Sequence, residues 1–268
     1  MKRTFRKPHR IKRKKSIFRN RFFWLEILIL IIFGGVFYLI CFHSFFQVKE
    51  IKISGNQKVA LEDLENLLNE KINQKVLFFP SQGIFLVNFR EIKKETLKSF
   101  PQIEETGLTR KFPDKILVQI KERKPVAIFC QNANCFSIDK HGIIFEPAVT
   151  EQTLVLLKKE EEEEINLGKK IIKEEQLSKI LEVEAELKNE LKILLEEILI
   201  VSDERFNVKT SEGWQIYFNF QENLDWQLTK LRAILGEEIP QERRKDLEYV
   251  DVRFGNFAPY KYKDQSTW

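Results

Sequence analysis

Apolar and polar positions follow several distinct rhythms along the chain, and each rhythm predicts an element. An unbroken apolar run, FFWLEILILIIFGGVFYLICF, covers Phe22–Phe42 with one charge, Glu26, near its start. About 20 apolar residues cross a hydrocarbon core as a helix, so this run predicts a membrane span. From Phe46 to Ser54, FQVKEIKIS alternates with period two, and a register shift at Lys49–Glu50 reads as a bulge. Gly55-Asn56 is a turn signal. Val59–Ile72 then sets Leu61, Leu64, Leu67 and Leu68 at helical spacing. A loop with Pro80 and Gly83 follows, then IFLVN. Asn88 and Glu91 have the form of an N-cap with its reciprocal acid. They open the helix FREIKKETLKSF, which carries Ile92, Leu97 and Phe100 and stops at Pro101. IEETGLTRKF and KILVQIKE predict two strands joined by Phe112-Pro113-Asp114-Lys115, a turn with proline in second place. The order is β-α-α-β-β.

Pro125 has no N–H to give a ladder and marks the handover to a second sheet. VAIFC, CFSID and IIFE predict short strands, the last two joined by Lys140-His141-Gly142. Lys173 to about Leu195 predicts an amphipathic helix with Leu177, Ile180, Leu181, Ala185, Leu187, Leu191 and Leu194 at three- and four-residue spacing. A run of about three heptads is short for a coiled coil, so the helix is expected on its own sheet. EILIVSDERFNVKT, Gly213 and WQIYFNF predict a strand, a turn and a strand. LDWQLTKLRAIL predicts a helix with Leu224, Leu228, Leu231 and Leu235 on one side, and LEYVDVRF leads to the tail GNFAPYKYKDQSTW. The expected class is α+β with a single-pass anchor. Residues 1–21 form a tail, 22–42 the span, 46–123 the β-α-α-β-β domain, 124–262 a mixed β-sheet domain with helices, and 263–268 a last tail.

Charge sharpens this picture. Of 45 lysines and arginines, 11 lie in residues 1–21, which hold no acid; the other 34 face 40 acids. The body is thus slightly acidic and predicts no nucleic-acid footprint. The basic tail reads as a disordered topology determinant that also touches anionic lipid, against a nucleic-acid patch. A cleaved signal peptide would have a shorter apolar region and a small-x-small site; CFHSFFQVKE offers none, so the span reads as a retained signal-anchor. Basic residues stay cytoplasmic, which puts residues from about 44 onward outside the cytoplasmic membrane. Glu26 reads as an interfacial residue beside Arg21 rather than an intramembrane acid.

Candidate chemistry is sparse. Cys41 belongs to the span. Cys130 and Cys135 flank Gln131-Asn132-Ala133-Asn134 between two strands, where they either bridge in an oxidising compartment or stay reduced. With His141 they would be one ligand short of a closed zinc site. Glu160–Glu164 is an unbroken run, whereas calcium takes spaced ligands around a glycine turn, so the run reads as a solvated loop. The three histidines are His9, His43 and His141, and no G-x-S-x-G, S-x-x-K, H-E-x-x-H or P-loop pattern occurs. No catalytic residue, cofactor or metal is expected, and the body reads as a binding module.

Taken in order, the basic tail, the span, FQVKEIKISGN, the β-α-α-β-β unit ending RKFPDKILVQIKERKPVAIF, then SIDKHGIIFE and YVDVRF resemble the FtsQ/DivIB family of bacterial cell-division proteins. The first unit resembles its POTRA domain and the remainder its β domain, with the Glu run departing from the family's more apolar stretch. The resemblance implies a non-catalytic divisome scaffold at the septum. It would bind FtsB-like and FtsL-like single-span proteins outside the membrane and help control septal peptidoglycan synthesis. It implies contact by strand addition at the C-terminal edge of the β domain, with Arg253, Phe254, Asn256 and Tyr262 as contact positions and Phe257 and Tyr260 between them on one strand. Pro259 would remove a donor from that edge. A recruitment contact would fall on Leu108 and Arg110. The rival readings are a POTRA-bearing secretion or envelope-assembly component and a membrane-anchored cell-wall enzyme.

Overall fold

A computed structural model describes residues 21–76, 79–148, 154–161 and 164–263. The basic tail before Arg21, His9, part of the glutamate run and the last residues lie outside the described part. Two compact units divide the chain. One runs to Ile53 and resumes over Glu65–Ile92 and Leu108–Val118; the other takes Ser54–Leu64, Lys93–Gly107 and the described residues from Gln119 on.

The apolar run forms α1, Arg21–Phe42, the one described helix long and apolar enough to cross a membrane. Then come β1 (Glu50–Ser54), α2 (Leu61–Ile72), β2 (Gln74–Val76), β3 (Phe79–Ser81), α3 (Phe89–Ser99), β4 (Ile103–Lys111) and β5 (Lys115–Glu122). The sheet order is β1-β5-β4, and β2 and β3 make a separate ribbon in the loop with Pro80. The first strand is shorter than its alternation predicts. A 3-10 turn, Ser44–Phe46, follows α1. Lys49 and Glu50 then both donate to the Asp114 carbonyl (2.8 and 3.4 Å), so the predicted bulge is the point where the chain joins the sheet. In α2, Leu64, Leu68 and Ile72 are buried while Leu61 is exposed. Asn88 Oδ1 accepts from Glu91 N (3.3 Å) and opens α3 as expected.

The second unit is built on a nine-stranded sheet ordered β14-β13-β12-β11-β10-β9-β6-β7-β8. Its elements are β6 (Ala127–Gln131), β7 (Asn134–Ile138), β8 (Ile144–Pro147), β9 (Val155–Lys159), α4 (Glu174–Asn189), β10 (Leu195–Ile200), β11 (Arg205–Thr210), β12 (Gln215–Asn219), α5 (Leu224–Glu237), β13 (Leu247–Asp251) and β14 (Tyr260–Tyr262). Helices α4 and α5 bury Leu177, Ile180, Val183, Leu187, Leu224, Leu228, Leu231 and Leu235 in one core with the inward strand residues. Asn223 Oδ1 caps α5 at Trp226 N (2.8 Å). α4 stops five residues short of its periodic pattern. The chain turns at Lys192 (φ +56°), Ile193 N closes onto Leu187 O (2.8 Å), and Leu194 is left in solvent. Its sequence holds no Gly or Pro to announce that stop. EILIVSDERFNVKT, expected as one strand, divides into the antiparallel β10 and β11, and β9, central to the sheet, is not announced by the pattern. It runs parallel to both β6 and β10, with Leu157 opposite Phe129 and Ile198.

Cys130 and Cys135 stand opposite each other in the β6–β7 hairpin, and their sulfurs are joined. That removes both thiolates from the set weighed with His141. Among the described residues no cluster of three His, Cys, Asp or Glu is placed for a metal. The Lys140-His141-Gly142 turn is held by Asp139 Oδ1, which accepts from His141 N (3.0 Å) and Ile143 N (2.9 Å). Gly142 (φ +76°) is obligatory there, since a Cβ would sit 2.1 Å from Ile172 O.

His141 Nδ1 lies 3.0 Å from Glu174 and Nε2 lies 3.5 Å from Glu104. The Glu174 hydrogen bond raises the imidazole above its ordinary value of 6.5. A raised histidine contributes stability that is complete below its unfolded pKa and is lost as pH rises through the folded one. The urea midpoint is therefore expected to fall modestly above pH 6.5, and His141→Asn is expected to flatten that part of the profile.

Candidate functional site

The C-terminal margin of the nine-stranded sheet collects most of the singled-out residues, although not on one strand. β13 is already paired on both sides. It runs parallel to β12 (Ile216 opposite Val250, Tyr217 opposite Asp251) and antiparallel to β14 (Tyr249 opposite Lys261, Val250 opposite Tyr260). Among the described residues, no further strand pairs with the outer side of β14. Pairing ends at Asp251, and Arg253, Phe254, Asn256 and Phe257 lie in the loop that reverses the chain, so the single strand expected through Phe257 and Tyr260 is corrected to a loop and a strand. The reversal passes through Gly255, at φ +38°, between the two strands.

Backbone direction along β14 is fixed by its bonds to β13. Asp251 N donates to Pro259 O (2.8 Å) and Lys263 N donates to Asp246 O (2.7 Å). Residues 259, 261 and 263 thus turn their polar groups inward, and antiparallel alternation turns those of Tyr260 and Tyr262 outward. Pro259 sits in the inward register. Its missing N–H is on the β13 side and costs the outer margin nothing, which corrects the sequence expectation. At the opposite end of the sheet, the β8 margin is partly covered: Ile144 N donates to Lys169 O (3.0 Å) and Gly168 N donates to Ile144 O (2.7 Å).

The loop is held from beneath by a lysine that was not anticipated. Lys230, on α5, is buried and donates from Nζ to the carbonyls of Val252 (2.6 Å), Phe254 (3.0 Å) and Gly255 (3.1 Å). Burial lowers its pKa from the ordinary lysine value, with Asp251 and Glu222 opposing. Trp226 Nε1 adds a bond to Gly255 O (3.1 Å). The signal was a lysine inside an otherwise apolar helical stripe. Lys230→Met is expected to leave the carbonyls short of a donor and cost about 1–3 kcal/mol, read as a lower urea midpoint and faster amide exchange over 252–257.

Arg253 is committed inward. Its Nε and Nη2 grip the buried Asp251 (2.9 and 2.6 Å), which raises the guanidinium pKa. Its plane also lies against the Tyr217 and Phe254 rings. Tyr262 is buried under Arg243 (4.1 Å to the ring), so only its backbone reaches the margin, and Tyr260 is half-buried. Phe254 and Phe257 are 58% and 79% exposed, with Asn256 exposed between them. Among the described residues, the outward inventory is thus the Phe254, Phe257 and Trp226 rings, one amide and an unpaired strand edge.

Leu108 and Arg110 lie on β4, itself at an edge of the three-stranded sheet. Arg110 is occupied within its own unit. It donates to Ile84 O (2.8 Å) and Val87 O (2.7 Å) and stacks on Phe89. Leu108 is half-buried.

Two family models match. One, described as "Cell division protein FtsQ/DivIB, C-terminal", covers residues 127–253, and the other, "POTRA domain, FtsQ-type", covers residues 46–123. The first ends at Arg253, so the loop from Phe254 and β14 lie beyond it. Among curated proteins, the chain is similar to the cell division protein DivIB of Clostridium tetani, 25% identical over 80% of this chain and 79% of the relative. It is also similar to the cell division protein FtsQ of Koribacter versatilis, 29% identical over 50% of this chain and 38% of the relative. A third relative is FtsQ of Rickettsia bellii, 31% identical over 36% of this chain and 33% of the relative. The POTRA and C-terminal family matches follow one another along the chain over residues 46–123 and 127–253, and the chain belongs to the FtsQ/DivIB family of cell division proteins.

Proposed function

We propose that the chain is a non-catalytic divisome scaffold that captures FtsB-like and FtsL-like partners by strand addition on β14. The observation that supports this is the outer margin of β14, unpaired among the described residues, with the backbone of Tyr260 and Tyr262 turned toward it. A partner strand there gains main-chain hydrogen bonds, while Phe254, Asn256 and Phe257 supply side-chain selectivity beside it. The basic N-terminus sits in the cytoplasm in this reading, α1 anchors the chain, and both domains lie outside the membrane at the septum, where the complex helps regulate peptidoglycan synthesis. β4 offers a second margin for recruitment through its backbone and Leu108, with Arg110 as a brace. A POTRA-bearing envelope-assembly role has no separate observation in its favour.

The test is a photo-crosslinker at Phe254 or Phe257 in dividing cells. The expected product joins this chain to an FtsB-like protein; absence of any such adduct from both positions overturns the reading. Phe254→Ala and Phe257→Ala are expected to weaken capture without lowering thermal stability. Reversing Arg253 is a poor probe, because Asp251 would be left buried and unpaired.

A further inference from the structure

Outside α1, the exposed phenylalanine and tryptophan rings among the described residues fall into two groups. Trp226, Phe254 and Phe257 belong to the site above. Phe45, Phe85 and Phe112 make the other, at 55%, 46% and 58% exposure. They come from three separate segments of the first unit: the 3-10 turn after α1, the turn after β3, and the β4–β5 turn. Yet they touch in series. Phe45 packs edge-on to Phe46 (5.1 Å between centroids), Phe46 meets Phe85 (5.6 Å), and Phe85 meets Phe112 (5.1 Å).

This cluster is bolted to the end of α1. Ser81 Oγ donates to Cys41 O (2.5 Å) and Gln47 Nε2 donates to Phe42 O (3.1 Å), filling two orphan carbonyls of the last turn. Ile84 N donates to Phe46 O (2.8 Å) and Val48 N to Gln82 O (3.0 Å), tying the turn beside Phe85 to the exit from the helix. Gly83 fits there because a Cβ would lie 3.2 Å from Cys41 O. The acids beside the cluster are neutralised. Glu50 pairs with Lys115 (2.5 Å) and Lys52 (3.2 Å), and Asp114 pairs with Lys49 (3.6 Å).

We propose that Phe45, Phe85 and Phe112 form an aromatic collar that seats the first unit in the headgroup layer of the leaflet where α1 ends. The occupant is lipid. At 22 residues, α1 is about 33 Å long, against a core of about 30 Å. It has almost no length to spare, so rings fixed to its last turn are held at the bilayer interface, where aromatic side chains concentrate. The proposal rests on α1 as the membrane anchor and goes beyond it. The chain is not flexibly tethered; the collar fixes the unit's height and tilt on the bilayer.

The test uses the full chain carrying Cys41→Ala, with Cys130 and Cys135 bridged, in vesicles of phosphatidylethanolamine and phosphatidylglycerol. Nitroxides are placed singly at Phe85→Cys, Phe112→Cys, Lys111→Cys, Val36→Cys and Phe257→Cys. Collision with oxygen is compared with collision with a water-soluble nickel chelate. The oxygen-to-nickel ratio at 85, 111 and 112 is expected several-fold above that at 257 and below that at 36. With Lys111 labelled, adding Phe45→Ser, Phe85→Ser and Phe112→Ser is expected to drop the ratio to the value at 257. Aqueous ratios at 85, 111 and 112 beside a bilayer ratio at 36 overturn the collar and keep the anchor. An aqueous ratio at 36 as well removes both.

Discussion

Tyr260→Pro is expected to cost partner capture while leaving β14 paired with β13. Inward bonds run through Pro259, Lys261 and Lys263, so a proline at 260 leaves that ladder intact. What it removes is the outward N–H, and it places its ring where an added strand would approach. A partner carbonyl left without its donor costs about 1–3 kcal/mol, roughly a five- to hundredfold weaker Kd. Tyr260→Ala controls for the half-buried ring, which packs edge-on to Tyr262 (5.6 Å). Lys261→Pro is the reverse case. It deletes an inward donor opposite Tyr249, and β14 is expected to loosen, seen as fast exchange at Lys263 and Tyr249. Titration of the full chain with an FtsB-like protein reads the first pair. If Tyr260→Pro binds as tightly as Tyr260→Ala, strand addition at this margin is wrong.

Legibility in the sequence tracked how local each determinant is. α5 was plain because Leu224, Leu228, Leu231 and Leu235 repeat on one face, and all are buried. The two sheets were separable because Pro125 falls between Glu122 and Ala127, where one ladder ends and the next begins. β9 was invisible because its five residues, VLLKK, run into a charged stretch. Its strand character comes from β6 and β10, which lie far away in sequence. The site shows the same division. Arg253, Phe254, Asn256 and Tyr262 were singled out through the family resemblance at YVDVRF, which carries no information on the reversal after Asp251. That turn depends on Lys230 of α5 drawing three carbonyls together, a contact 22 to 25 residues distant. The inward commitments of Arg253, Tyr262 and Arg110 were equally hidden, because charge and aromaticity do not say which side of a strand or loop a side chain takes.

Asp139→Ala is expected to be the most damaging single change in the second unit. Asp139 and Arg123 form a buried ion pair, with side chains 3% and 12% exposed. Arg123 also spends its Nε on Pro101 O (2.9 Å) and its backbone N–H on Gln102 O (2.7 Å), so the guanidinium is fixed before the pair forms. The carboxylate in turn caps His141 N and Ile143 N. Removing it strands a desolvated cation and two amides together. Loss of one partner from a buried pair costs about 3–5 kcal/mol, a large share of the roughly 5–15 kcal/mol that holds a domain folded. Asp139→Asn keeps an oxygen for the amides and is expected to cost less. Arg123→Met leaves Asp139 with its two amide donors and should fall between wild type and Asp139→Ala. Because one group serves both interactions, the double variant Arg123→Met/Asp139→Ala is expected to lose less than the two single losses added. The nearby Glu104 pairs with Lys121 and Lys140 cannot compensate, since their lysines are more than half exposed and such pairs are worth about 0–1 kcal/mol. Urea midpoints of the wild type and the four variants decide the matter. A loss near 1 kcal/mol for Asp139→Ala would rank this pair with those surface bridges and leave the 139–143 turn to its backbone bonds, Gly142 N to Asp139 O (2.9 Å) and Asp139 N to Ile143 O (3.1 Å).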